Sequence, residues 1–259
     1  MPPHRLHAPA RAGDPLGLKD EMRSLLIAPG DDEARLAAAL ESEADAVAID
    51  LCVAAPARAA ARAAAARALK CRDHDRRSAL MVQVSPLADG ENDLDLDAVV
   101  GLAPAAILLP KPLGGASVQR LSARVAVREA DNGLEHGSTR IIAVADTAAA
   151  LLNLASFRDC SARLIGLAWD AAGFAADVGA RPGGEATEAA GGPCRLARDL
   201  TLIGAAAAGV AAIDAGFLGA DAEGLRVEGL AARRDGFSAK MAMSADHARI
   251  INQLFAKAT

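Results

Sequence analysis

Short apolar runs alternate with helix-like segments along almost the whole chain. Eight runs of four to seven residues are each followed by a segment whose apolar residues have helical spacing. The runs lie at residues 24–28, 46–49, 79–84, 105–110, 140–145, 163–169, 210–214 and 238–243. Strands joined by crossover helices must be parallel, and eight such units close into one barrel. We therefore predict an α/β fold with a single (β/α)8 TIM barrel at residues 23–259, preceded by a flexible N-terminal arm at residues 1–22.

The alternative is a doubly wound open sheet. That fold carries a glycine-rich dinucleotide loop after its first strand, whereas this chain has Pro29-Gly30-Asp31-Asp32 there. One large core is also feasible, because 52% of the 259 residues are hydrophobic and no linker divides the chain. The breaker-rich stretch at residues 180–193 lacks large apolar residues and is interpreted as a functional lid or a disordered loop.

The charge pattern argues against nucleic-acid binding. The net charge is −5, and Lys and Arg are spread along the chain instead of forming one basic patch. Arg58, Arg62 and Arg67 of the predicted second helix are interpreted as a solvent-exposed face. A small anionic metabolite is the expected partner.

Cysteine usage and hydropathy favour a cytoplasmic protein. The four cysteines, Cys52, Cys71, Cys160 and Cys194, form no C-x-x-C pair and have no histidine at ligand spacing. They are therefore expected to be free thiols in a reducing compartment. The N-terminus has no apolar run of the signal-peptide kind, and Arg and Asp interrupt every Ala-rich run, so no membrane span is predicted.

Polar residues follow the predicted strands, at the rim where TIM barrels place their chemistry. This rim set comprises Pro29-Gly30, Asp50, Gln83 to Ser85, Lys111, Asp146, Trp169-Asp170, Asp214 and Lys240 to Ser244. Its carboxylates, lysines and amide could bind an anionic substrate beside a cation.

Two carboxylates, Asp146 and Asp170, follow neighbouring strands of this rim. Their oxygens suit Mg²⁺, which often takes one or two carboxylates and keeps several waters. The alternative role for Asp146 is to cap the helix that begins at Thr147. Lys111 could bind a carboxylate or phosphate as a point charge, or form a structural ion pair.

Three further charged residues also have two interpretations. Asp50 and Asp214 could belong to the site or could accept hydrogen bonds from neighbouring loop N–H groups. Lys240 lies inside an apolar strand and therefore needs an acidic partner. A barrel lysine could instead form a Schiff base with a carbonyl substrate, although we favour the ion pair.

The order of the strand-end motifs resembles the citrate lyase β-subunit-like branch of the HpcH/HpaI aldolase superfamily. The resemblance covers about residues 23–255. Its motifs are RSLLIAPG at 23–30, EADAVAIDLCVA at 43–54, LPK at 109–111, the segment 205–214 and GFSAK at 236–240.

This resemblance implies a Mg²⁺-dependent carbon–carbon lyase or aldolase, often acting on acyl-CoA thioesters or small oxo-acids and usually a homo-oligomer. It also implies two metal carboxylates, which fall at Asp146 and at Gly173, three residues after Asp170. A substrate-binding arginine of the family is Gln83 here, and the family's following asparagine is Ser85. The family's acidic pair after strand two is Cys52-Val53. Much of the family's C-terminal extension is also expected to be absent.

The sequence therefore predicts a lyase or aldolase whose activity is weakened or altered. In this hypothesis Asp146 and Asp170 hold Mg²⁺, Lys111 supplies positive charge and Gln83 donates a hydrogen bond to a substrate oxygen. The other predicted substrate contacts are Ser85, Asp50 and Trp169. The alternative is a catalytically silent paralogue that serves as a ligand-binding or assembly subunit. A third hypothesis is a metal-free aldolase that uses Lys240.

Overall fold

Eight parallel β-strands form a closed barrel in which each strand pairs with its neighbours in chain order and the last pairs with the first. The computed structural model describes residues 22–72, 78–180, 191–219 and 221–256. The strands are β1 (Ser24–Pro29), β2 (Ala46–Asp50), β3 (Ala79–Gln83), β4 (Ala106–Pro110), β5 (Arg140–Val144), β6 (Leu164–Ala168), β7 (Ala211–Asp214) and β8 (Ala239–Ala242). The pairing of β1 with β8 confirms the predicted barrel and excludes the open sheet.

Helices connect the strands, as crossover connections between parallel strands require. Within the described residues they are α1 (Glu33–Leu40), α2 (Arg58–Lys70), α3 (Asn92–Val99), α4 (Gly115–Asp131), α5 (Ala148–Leu152), α6 (Ala171–Asp177), α7 (Gly192–Ala208), α8 (Ala222–Asp235) and α9 (Ala245–Leu254). The connection between β5 and β6 contains the shortest of these α-helices, since α5 ends at Leu152 and a 3₁₀ turn follows at Leu154–Phe157.

Two apolar layers lie on opposite faces of the sheet, because successive strand residues point to opposite faces. The barrel interior contains mostly aliphatic side chains, among them Leu25, Met81 and Leu108, together with several alanines. The second layer lies between the sheet and the helices and contains Leu26 and Trp169 among many others. Small residues inside the barrel let the eight strands close around a filled core.

The predicted domain boundaries fall partly outside the described residues. The arm at residues 1–21 and residues 181–190 of the predicted loop lie outside them. Met22, the last residue of the predicted arm, is buried and packs with the barrel interior. Helix α7 begins at Gly192, three residues before the predicted start at Arg195. Within the described part of the chain, no helix is long and apolar enough to cross a membrane.

Candidate active site

Asp146 is a buried carboxylate that lies two residues after the end of β5. Its side chain is only 5% exposed, and its Oδ1 accepts a 2.8 Å hydrogen bond from the backbone N–H of Lys111, at the end of β4. The pKa of this carboxyl is raised to about 6, chiefly by burial and in smaller part by the negative charge of Asp170, while the Lys111 contacts partly oppose the shift. Two neighbouring strand ends thus fix one carboxylate whose charge is poorly compensated.

The alternative capping role of Asp146 is wrong, because Thr147 caps α5. The Thr147 hydroxyl accepts from the backbone N–H of Ala150 at 3.2 Å. Ala148 N–H donates to Asp177 Oδ2 at 2.8 Å, so the end of α6 also holds the start of α5. Asp146 therefore does not cap α5, and the Lys111 N–H is bonded to only one of its two carboxylate oxygens.

Asp170 caps the first turn of α6. Its Oδ1 accepts from Ala172 N–H and its Oδ2 accepts from Gly173 N–H, both at 3.1 Å. The side chain is partly exposed and lies near Asp146. A Cβ atom on Gly173 would lie 2.8 Å from Asp170 Oδ2 and 3.2 Å from Asp146 Cβ. The absence of a side chain at position 173 therefore leaves room for the Asp170 carboxylate beside Asp146.

Lys111 has an exposed side chain on a left-handed backbone, with a φ of 49°. A non-glycine residue rarely adopts this conformation, which tends to occur at functional or tightly turning positions. The turn directs the Lys111 N–H to Asp146, and the lysine charge acts to lower the pKa of that carboxyl. Lys111 thus holds the Asp146 carboxylate through its backbone N–H and favours the ionised form of that carboxyl through its charge.

Gln83 and Asp50 form a pair at the ends of β3 and β2. Gln83 Nε2 donates to Asp50 Oδ1 at 2.9 Å, and the same oxygen accepts from Cys52 N–H at 2.9 Å. Burial raises the pKa of Asp50 despite these two bonds. The Cys52 bond is of the loop type that the sequence suggested for Asp50. The Gln83 amide also interacts with the Cys52 side chain, so a ligand would share this amide with two neighbours.

Ser85 is buried, although its predicted role as a substrate contact requires it to be accessible. It is 1% exposed, its N–H donates to Asp95 Oδ2 at 2.7 Å, and its carbonyl accepts from Asn92 at 2.6 Å. Its hydroxyl is buried without a hydrogen-bond partner in the described structure. Asp95 also accepts from Arg62, so the interpretation of Arg62 as a solvent-exposed residue is wrong. No sequence pattern indicates this link, because it joins α2 to the loop after β3 through a residue of α3.

Trp169, Asp214 and Lys240 form a buried network on the helix side of the sheet. Trp169 Nε1 donates to Asp214 Oδ1 at 2.8 Å, and Lys240 Nζ donates to Asp214 Oδ2 at 3.0 Å. Lys240 is fully buried and also donates to Glu228 Oε1 at 2.5 Å and to the Ala215 carbonyl at 2.7 Å. The predicted ion pair of Lys240 is therefore present, and side chains instead of loop N–H groups surround Asp214.

The two carboxylates Asp146 and Asp170 can hold a hard cation. No group of three or more His, Cys, Asp or Glu side chains suited to a metal occurs within the described residues. Zinc, which takes four nitrogen, sulfur or carboxylate ligands at structural sites, does not fit such a pair. Mg²⁺ does fit, since it binds one or two carboxylates and completes its shell with water and substrate oxygens. A cation there would offset the burial of the Asp146 charge, which is the main cause of its raised pKa, as well as its repulsion by Asp170.

Comparison with protein families identifies the lineage of this barrel. The model of the HpcH/HpaI aldolase/citrate lyase family matches residues 23–245, from β1 to the start of α9. The chain belongs to this family. The resemblance predicted from the strand-end motifs is thereby confirmed, and the matched region includes Asp146 and Asp170.

Individual relatives of this HpcH/HpaI family member are similar over most of the barrel. The citrate lyase subunit beta of Leuconostoc mesenteroides subsp. cremoris is 27% identical over 180 residues, which are 69% of this chain and 58% of the relative. The matched region thus spans less than two thirds of that relative.

Two solved structures from other organisms share the fold. CitE from Mycobacterium tuberculosis in complex with magnesium and acetoacetate has a TM-score of 0.76 and 26% identity, with 93% of each chain covered. RipC from Yersinia pestis has a TM-score of 0.72 and 27% identity, with 92% of this chain and 97% of RipC covered. CitE has also been solved with magnesium, acetoacetate and coenzyme A.

Proposed function

We propose that this protein is a Mg²⁺-dependent carbon–carbon lyase or aldolase of the citrate lyase β-subunit type, with an altered substrate site. The observation that carries this proposal is the close placement of the Asp146 and Asp170 carboxylates around Gly173 at the ends of β5 and β6. Family membership and the magnesium found in the CitE relative support the same assignment.

Asp146 and Asp170 are the proposed metal ligands. Asp146 is fixed by the Lys111 N–H and Asp170 by the first turn of α6, so both side chains are held before a cation binds. A bound Mg²⁺ would supply positive charge that stabilises negative charge developing on a substrate oxygen as the carbon–carbon bond breaks. Lys111 adds a second positive charge beside this position and is the proposed electrostatic partner of the substrate.

We propose that the substrate-binding position at residue 83 is neutral, because Gln83 stands where the family resemblance implies an arginine. Gln83 is proposed to donate to a substrate oxygen with an amide that it shares with Asp50. An amide lacks the charged, two-pronged fork with which arginine binds a carboxylate. The proposed substrate class is a small oxo-acid or an acyl-CoA thioester, as the family resemblance implies. Because Gln83 is neutral, we expect a substrate carboxylate to bind more weakly than it would to an arginine. Ser85 and Trp169 are buried away from solvent, so Asp50 and Gln83 carry the proposed substrate contacts.

We further propose that the protein acts as a homo-oligomer in the cytoplasm. Large apolar side chains stand exposed on α5 and α7, including Leu152 at 85% and Ile203 at 62%. Exposed apolar side chains of this kind are typical of contact surfaces. Analytical ultracentrifugation of the full chain tests the assembly, and a monomer at micromolar concentration would contradict it.

Turnover of a panel of acyl-CoA thioesters and small oxo-acids tests the activity. We expect Mg²⁺-dependent cleavage of at least one member, lost in Asp146→Ala and retained in Asp93→Ala, a control whose carboxylate lies half-exposed on α3. Cleavage that is unaffected by EDTA would contradict the metal-dependent mechanism.

The second candidate function is a catalytically silent subunit that binds a ligand or supports assembly. The bond between Gln83 and Asp50 favours it, because it occupies the amide that replaces the family's substrate arginine. Trp169 argues against it, since its indole packs in the layer between sheet and helices instead of filling the mouth. Magnesium binding together with no turnover of any panel member would support the silent subunit.

A further inference from the structure

Asp214 is the centre of a buried network that reaches the end of β6. It is 1% exposed and accepts from Trp169 Nε1 and Arg198 Nε on one oxygen and from Lys240 Nζ on the other. Arg198 extends the network to Asp235 at 2.8 Å and lies 4.7 Å above the Phe237 ring. These contacts join β7 and β8 to α7 and α8, so the position of Asp214 is fixed from several directions.

Trp169 transmits this fixed position to Asp170, the next residue in the chain. The indole is 4% exposed and packs between the sheet and the helices, while its N–H meets Asp214 at 2.8 Å. The side chain of Asp170 points to the opposite side of the chain from the indole, and both of its carboxylate oxygens cap α6. Because consecutive residues of an extended segment point to opposite sides, anchoring the indole sets the direction of the Asp170 side chain.

We infer that Asp214, acting through the indole N–H of Trp169, is a positioning residue for the Asp170 carboxylate at the cation site. This inference rests on the proposed function, because it assigns a role toward the same Mg²⁺ site. Neither Asp214 nor Trp169 touches the cation position; both act through Asp170. Partners of metal ligands that hold a ligand in place typically change metal affinity by 10- to 100-fold when they are removed.

Trp169→Phe tests this inference, because it keeps an aromatic ring in the buried layer and removes the N–H donor. We expect Mg²⁺ binding of the full chain, measured by isothermal titration calorimetry, to weaken about 10-fold. The matched control is Thr201→Val, which removes another buried hydrogen bond, from Thr201 Oγ1 to the Ala197 carbonyl at 2.9 Å on the same α7 helix as Arg198. Thermal unfolding of both variants records the cost to stability.

A purely structural role of Trp169 predicts equal behaviour of the two variants. If Trp169→Phe and Thr201→Val both lose melting temperature and both keep the Mg²⁺ affinity of the unmodified chain, the inference is wrong while the proposed metal site stands. If the unmodified chain does not bind Mg²⁺, the proposed function fails and the positioning role fails with it. Weakened Mg²⁺ binding confined to Trp169→Phe supports the inference.

Discussion

The Asp170 carboxylate occupies the space that a side chain at position 173 would need. Its Oδ2 lies 2.8 Å from the point where a Cβ on Gly173 would be, and the Cβ of Asp146 lies 3.2 Å from the same point. The family resemblance places the second metal carboxylate at position 173, which is glycine here. Asp170, three residues earlier, fills that space from the other end of the same helical turn. We propose that the ligand position has moved from residue 173 to Asp170, with glycine making room for the Asp170 carboxylate.

Gly173→Ala should weaken Mg²⁺ binding more than it weakens the fold. The new methyl group would meet Asp170 Oδ2 at 2.8 Å and Asp146 Cβ at 3.2 Å, so the Asp170 carboxylate must move from the position in which it caps α6. We expect about a 10-fold loss of Mg²⁺ affinity by calorimetry, as for other disturbances of ligand placement. Gly90→Ala is the control, because a Cβ there meets nothing within 4 Å. Unchanged Mg²⁺ affinity in Gly173→Ala would show that the Asp170 position does not matter.

The contribution of Asp146 to the stability of the metal-free protein should fall between about pH 4 and pH 6. The pKa of Asp146 is raised from an ordinary value of 3.8 to about 6, chiefly by burial, so the folded chain keeps this proton in a range where the unfolded chain has released it. Deprotonation in the folded state therefore costs stability as the pH rises, by up to about 3 kcal/mol, and the loss is complete above the folded pKa.

Urea unfolding in EDTA from pH 4 to pH 8 measures this effect. Asp146→Asn is the matched variant, since its amide oxygen can still accept the Lys111 N–H while it carries no titrating proton. The difference in unfolding free energy between the two proteins should change across pH 4–6. A difference that is constant with pH would contradict the raised pKa.

Lys240 should behave as a structural cation and not as an imine-forming nucleophile. Its ammonium is fully buried and contacts Asp214, Glu228 and the Ala215 carbonyl. Lys240→Met should lower the free energy of unfolding by about 3 kcal/mol, because breaking a buried pair leaves a carboxylate poorly compensated. Borohydride treatment with pyruvate should leave Lys240 unmodified by mass spectrometry. A reduced adduct on Lys240 would revive the metal-free aldolase.

Gln83→Arg should strengthen the binding of substrates that carry a carboxylate. A guanidinium at this position could pair with Asp50 and still offer charged donors to the mouth. Since charged hydrogen bonds contribute about 1.5–3 kcal/mol, we expect oxaloacetate to bind roughly 10-fold more tightly in the presence of Mg²⁺. Gln83→Met removes the amide at similar length and is the control. Equal affinities of the two variants would place the substrate carboxylate elsewhere.

The fold was predictable because it depends on a pattern repeated eight times along the chain. Each apolar run is buried on both faces, so its residues stand out in sequence, as with Ala106–Pro110 and Leu164–Ala168. The ends of helices were less predictable. Helix α7 begins at Gly192, because Gly191 can serve as its N-cap and Pro193 stands in its first turn. Neither residue signals helix when it is read within a breaker-rich stretch.

The candidate site was predictable only in part, since Ser85 and Trp169, which were expected to contact the substrate, are buried. The positions of Asp146 and Asp170 follow from their place after β5 and β6. The partners that fix them are distant in sequence: Lys111 is 35 residues from Asp146, and Asp214 is 45 residues from Trp169. Only the closure of the barrel brings these groups together. A buried lysine needs an acidic partner, so Lys240 could be expected to pair, but the choice of Asp214 and Glu228 depended on the three-dimensional structure.

Calorimetric titration of the EDTA-treated protein with Mg²⁺, alongside Asp146→Ala and Asp170→Ala, tests the central claim most directly. If the two carboxylates form the cation site, the unmodified protein binds one Mg²⁺ per chain and each variant loses measurable binding. Circular dichroism of the same samples should show that both variants stay folded. Absence of Mg²⁺ binding by the unmodified protein, or full binding by folded Asp146→Ala and Asp170→Ala, would contradict the account.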